Sequence, residues 1–163
     1  MADPMTHFDE NGASRMVDIS AKSVSHREAT ASGQVVMSET TLARIFDRSF
    51  EKGDVLEVAR LAGIMASKKT GELIPLCHPL ALTHAKVDFE RLSETTILVR
   101  ATCSLEGRTG VEMESLTAVA VACLTIYDMC KSIDRAIRID AIQLDSKTGG
   151  KSGTYVREGI ANQ

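Results

Sequence analysis

The spacing of apolar positions changes several times along the chain, and each change marks an element. Gln34-Val35-Val36-Met37 reads as a short strand. Ser38 fits the N-cap of a helix running to about Asp47, with Leu42, Ile45 and Phe46 on one face. Gly53-Asp54 precedes a second helix, where Asp54 and Glu57 have the capping-box spacing in its Asp variant. Val55, Val58, Ala59, Ala62 and Met65 or Ala66 hold a helical period to about Lys69, and Gly71 is expected to stop it. Residues 73–82 are loop, punctuated by Pro75 and Pro79. Residues 85–90 and 96–105 read as two strands joined by the charged hairpin Glu90-Arg91-Leu92-Ser93-Glu94.

Thr109 and Glu112 match the T-x-x-E capping box at the start of a long helix. Its expected buried stripe is Val111, Ser115, Ala118, Val119, Ala122, Ile126, Met129 and Ile133. Residues 137–144 form a last strand, and Lys147 opens a Gly- and Lys-rich tail. With the two early helices as one layer, the order is β-α-β-β-α-β. That predicts an α+β, ferredoxin-like fold, an antiparallel sheet with helices on one face. Residues 1–20 read as a flexible N-terminal arm, 21–155 as a single catalytic domain, and 156–163 as a flexible C-terminal tail.

Composition narrows the function. The chain has 163 residues and a net charge of -3, so a general electrostatic grip on nucleic acid is not expected. Aromatics are only 4%, which argues against single-strand stacking platforms. The four cysteines form no C-x-x-C pair, so zinc is poorly supported. No signal peptide and no apolar run of membrane-spanning length is evident, and a reduced, cytoplasmic protein is the simplest expectation.

Chemistry concentrates in few places. Asp128 and Lys131 are three apart on the long helix, a spacing that suits an acid/base pair and equally an ordinary surface ion pair. Lys52 lies just before a helix start, where a cation opposes the dipole; that misplacement admits a phosphate partner, although a plain solvated loop lysine explains it more simply. Pro75 and Pro79 flank Cys77-His78 and restrict the backbone that aims His78. Adjacent Cys and His chelate a metal poorly. Glu112 is explained as a capping-box acid; Glu114 is not. The run 146–153 can cradle an anion through backbone N–H groups and Lys147 and Lys151, but lacks the Walker A glycine spacing. Glu114 and Asp128 lie fourteen residues apart, roughly 21 Å along a straight helix. Either they serve different tasks, or a second chain brings its own helix end alongside.

Taken together, Met16 through Lys22, Arg27-Glu28-Ala29, Lys52-Gly53-Asp54-Val55, Leu73-Ile74-Pro75-Leu76-Cys77-His78-Pro79-Leu80, Gly107 through Lys131 and Ser146 through Gly153 follow a familiar order. The chain resembles the molybdenum cofactor biosynthesis protein C family, the cyclic pyranopterin monophosphate synthases, over residues 16–153. No departure occurs at the positions that matter. The resemblance implies conversion of a cyclised dihydro-GTP nucleotide, made by a radical SAM GTP cyclase, to cyclic pyranopterin monophosphate with release of pyrophosphate. It also implies a ferredoxin-like fold and a homohexamer, a trimer of dimers, with sites at subunit interfaces. Substrate contact then falls to Leu76, Cys77, His78, Met113 and Glu114, with Asp128 catalytic. Lys131 joins Asp128 as the main acid/base pair and Lys52 adds a further group. Lys22, Arg27, His78, Lys147 and Lys151 are candidates for the triphosphate, and Glu112 with Glu114 for the guanine-derived edge. Mg²⁺ suits the triphosphate's charge, but no carboxylate cluster demands it. Two other classes compete: a non-catalytic nucleotide-binding module, and an RNA-binding domain of similar architecture.

Overall fold

A computed structural model describes residues 7–51 and 53–159. Among these, one five-stranded antiparallel sheet carries helices on one face. The elements are β1 Ser25–Val36, α1 Glu39–Phe46, α2 Val55–Ser67, α3 Thr70–Leu73, β2 His84–Arg91, β3 Thr96–Gly107, α4 Glu112–Cys130, β4 Arg138–Thr148 and β5 Tyr155–Val156. Spatial order is β2-β3-β1-β4-β5, so β1 and β3 are central, as the ferredoxin-like reading requires.

Capping sets the early helices. Ser38 accepts from the Thr41 amide at 3.3 Å and starts α1. Asp54 accepts from the amides of Leu56 and Glu57 at 3.1 and 3.2 Å and starts α2. Glu57 does not complete a capping box; it pairs with Arg60 at 3.1 Å. Gly71 is not a stop either. Helix α2 ends at Ser67, and Gly71 lies inside the short α3, close against Pro79.

Three expectations change where the chain enters or leaves the sheet. The first strand is far longer than 34–37. It begins at Ser25, because Ala29, Ala31, Gly33 and Val35 alternate inward across small residues that weaken the apolar signal. Lys147 and Thr148 belong to β4 rather than a tail, and Tyr155 and Val156 pair back onto Ser146 and Lys147. Helix α4 starts at Glu112 with Val111 as N-cap and no side-chain cap, so the Thr109 capping box does not form. Helix α4 is also long and apolar enough to cross a membrane by length and composition, contrary to the reading from sequence. One face of it is packed against the sheet and α2: Ser115, Ala118, Val119, Ala122, Cys123, Ile126 and Cys130 are buried, while Leu124 on the other side is exposed. Burial on two sides widens the stripe beyond the expected one, while Ile133 lies past the helix and is exposed.

Small residues let α4 lie close. A Cβ on Gly33 of β1 would come within 2.8 Å of Val119, and one on Gly63 of α2 within 2.8 Å of the Ala118 carbonyl oxygen. Alanine in a helix interior normally adds about 1 kcal/mol over glycine. At position 63 the sign should reverse, with Gly63→Ala losing roughly 1–3 kcal/mol as α2 is pushed off α4. Denaturant midpoints of the two proteins check this, and a more stable variant would refute the close contact.

Candidate functional site

Helix α4 presents chemistry at both ends. At its start, strands β1 and β4, the loop before α4 and the turn after β4 enclose a cleft of about 880 Å³. Five cations line it among the described residues: Lys22, Arg27, Arg108, Lys147 and Lys151; Glu28 and Glu112 are its acids. The wall is tied by the side chains themselves. Arg27 donates to the Gly107 and Arg108 carbonyls at 3.4 and 3.5 Å, and Arg108 Nε donates to the Lys22 carbonyl at 2.9 Å. Gly149 and Gly150 both have positive φ, and a Cβ on Gly150 would fall 1.7 Å from Arg27 Nη1. Glycine at 150 therefore makes room for that guanidinium. Lys147 Nζ donates to Glu112 Oε1 at 2.7 Å. Ser25 lines the same cleft, and its buried hydroxyl has no hydrogen-bond partner.

Below the helix start lies Glu114, only 2% exposed. Burial, with a smaller push from Glu112, raises its carboxyl to about 7. Burial, Glu114 and Glu112 in turn raise the Cys77 thiol, and burial with Glu114 pushes Cys103 up to about 12. Leu76, Cys77 and His78 come on the loop after α3, with Leu76 at a φ of 64°, unusual for a leucine. His78 Nε2 lies 2.8 Å from the Val17 carbonyl. A carbonyl only accepts, so Nε2 carries the proton and ties this loop to the N-terminal segment.

At the far end, Lys131 Nζ donates to Asp128 Oδ1 at 2.5 Å. That hydrogen bond first, and the Asp128 charge second, raise Lys131. Their side chains are 52% and 67% exposed. No group of three or more His, Cys, Asp or Glu able to hold a metal occurs among the described residues.

A family model described as the MoaC family matches residues 16–150. The chain belongs to the MoaC family. Proteins named cyclic pyranopterin monophosphate synthase resemble it closely. The one from Desulfatibacillum aliphaticivorans is 57% identical over 160 residues, 98% of this chain and 100% of its own. That from Rhodospirillum rubrum is 57% identical over 155 residues, 94% and 93% of the two chains. That from Desulfitobacterium hafniense is 56% identical over 154 residues, 94% of each.

Within this MoaC chain the structure gathers Lys22, Arg27, Glu112, Lys147 and Lys151 in the cleft. Glu114 and Cys77 sit close enough to act on each other electrostatically. Asp128 and Lys131 stand apart from both, at the other end of α4. Met113 is half-buried on the first turn of α4. Lys52 lies outside the described residues. Arg108 is the cleft residue that the sequence reading missed. Its signal was a basic residue between Gly107 and Gly110 at the mouth of a helix, where backbone N–H groups favour anions.

Glu114 gives a pH signature. The folded chain holds its proton more tightly than the unfolded one, so its burial costs nothing below about pH 4.5 and its full amount above about pH 7. Glu114→Gln should thus gain stability relative to the parent as pH rises from about 5 to about 8, by at most about 3 kcal/mol. Unfolding curves at both pH values check it; an identical difference at both would place the carboxyl in water.

Proposed function

We propose that this chain is a cyclic pyranopterin monophosphate synthase. It converts 3',8-cyclo-7,8-dihydro-GTP, supplied by a radical SAM GTP cyclase, to cyclic pyranopterin monophosphate and pyrophosphate, as a phosphorus-oxygen lyase of molybdenum cofactor biosynthesis. The observation that carries this reading is the five-cation cleft at the start of α4, in a family whose members bear that name. A triphosphate needs such a lining. The cleft has room for a nucleotide, and no cofactor is needed for the chemistry proposed.

Lys22, Arg27, Lys147 and Lys151 hold the phosphates. A sugar hydroxyl attacks the α-phosphorus and pyrophosphate leaves, a step helped chiefly by positioning and charge neutralisation. Any Mg²⁺ arrives on the phosphates, which supply oxygen ligands themselves. Glu114, with Leu76, Cys77, His78 and Met113, reads the guanine-derived edge. A carboxyl near 7 can either accept from or donate to that edge. Asp128 and Lys131, with Lys52, move protons during ring opening and pterin closure.

One chain cannot deliver both ends of α4 to one substrate, since about 21 Å separates Glu114 from Asp128. We infer sites shared between subunits of a homohexamer built from dimers, in the cytoplasm. The exposure of Asp128 and Lys131 supports a pocket completed by a second chain.

Incubated with the cyclised nucleotide, the protein should release pyrophosphate and form pterin together, and Asp128→Ala should abolish both. A folded oligomer that binds the nucleotide and forms neither product would favour a binding module. Mixed oligomers of Glu114→Gln and Asp128→Ala subunits should recover part of the activity that each lacks alone. No recovery in oligomers verified as mixed would remove the shared site.

A further inference from the structure

Glu112 is a carboxylate in a cleft whose other charged side chains, among the described residues, are five cations and one further acid, Glu28, so it runs against the cleft's net charge. Its Oε1 lies 2.7 Å from Lys147 Nζ, and the two side chains are only 26% and 31% exposed. The pair is therefore partly withdrawn from water, and solvent screens it less than an open surface pair. The backbone of Lys147 is fixed, so its ammonium swings only within reach of this cleft. It sits in β4, with β1 on one side and Tyr155 of β5 on the other. Glu112 is itself folded back over the preceding loop, and a Cβ on Gly110 would fall 2.0 Å from its Oε2. It also begins α4, whose N-cap Val111 supplies no side-chain acceptor to the first turn. A phosphate entering here meets a lysine and a helix start already facing a carboxylate.

We propose that Glu112 is a built-in stand-in for a substrate phosphate. It holds Lys147 in register between turnovers, yields it to the nucleotide's triphosphate, and reclaims it as pyrophosphate departs. It is thus a positioning residue acting through Lys147, and not a reader of the guanine edge. The idea rests on the phosphate reading of the cleft given above. Without such a competitor the cations would keep hold of pyrophosphate, a product that resembles the substrate's own tail.

Pyrophosphate binding to the intact protein, measured by calorimetry, tests this. Glu112→Gln keeps size and removes charge, so pyrophosphate should bind roughly threefold to tenfold more tightly. In turnover both KM and kcat should fall, because substrate is held and product lingers. Lys147→Met should weaken pyrophosphate binding, and adding Glu112→Gln to it should bring no further gain. Unchanged or weaker binding by Glu112→Gln, or an equal gain without Lys147, would overturn the inference while leaving the phosphate cleft intact. No pyrophosphate binding by the parent protein would overturn the cleft reading and the inference with it.

Discussion

The contact between α4 and its bed is the constraint on which the rest depends. Gly33 lies beneath Val119, and Gly63 faces the Ala118 carbonyl, both at distances that exclude a larger residue. Ala118 and Ala122 add little bulk of their own. The helix therefore sits low over β1 and β3 and beside α2, and sheds water along much of its length. Close packing of this kind resists sliding and rotation. It holds the acids of the first turn beside the cleft, and holds Asp128 and Lys131 at a fixed remove from them.

Electrostatics divides the labour along that rod. The start of α4, which has no side-chain cap, meets cations drawn from β1, β4 and the flanking turns. Glu114, in the same first turn, is buried, and burial holds its proton to near neutrality. The distal pair is solvated and charged. A dry, nearly neutral acid and a wet, ionised pair suit different steps of one reaction, recognition and proton traffic respectively.

Much of this was legible in the sequence. The strand and helix order followed from period changes, and the long helix from the helical spacing of its buried stripe. The family motifs pointed to Lys22, Arg27, Lys147 and Lys151, which the fold brings to one cleft from opposite ends of the chain. What stayed hidden has physical causes. Residues 25–33 escaped notice as strand because their inward positions are alanine and glycine, which carry almost no hydrophobic signal. The expected cap at Thr109 failed, and Glu112 instead found a partner 35 residues away, which no local pattern encodes. Arg108 was passed over because its role depends on the Lys22 carbonyl, a neighbour only in three dimensions.

Leu76 bears on how such a protein can change. Its left-handed backbone costs a side-chain-bearing residue about 1–2 kcal/mol, a cost glycine would escape. Glycine there would relieve that strain, at the expense of a looser unfolded chain. The same replacement would free the segment before Cys77 and His78 to wander. Robustness and aim therefore pull against each other at this one residue.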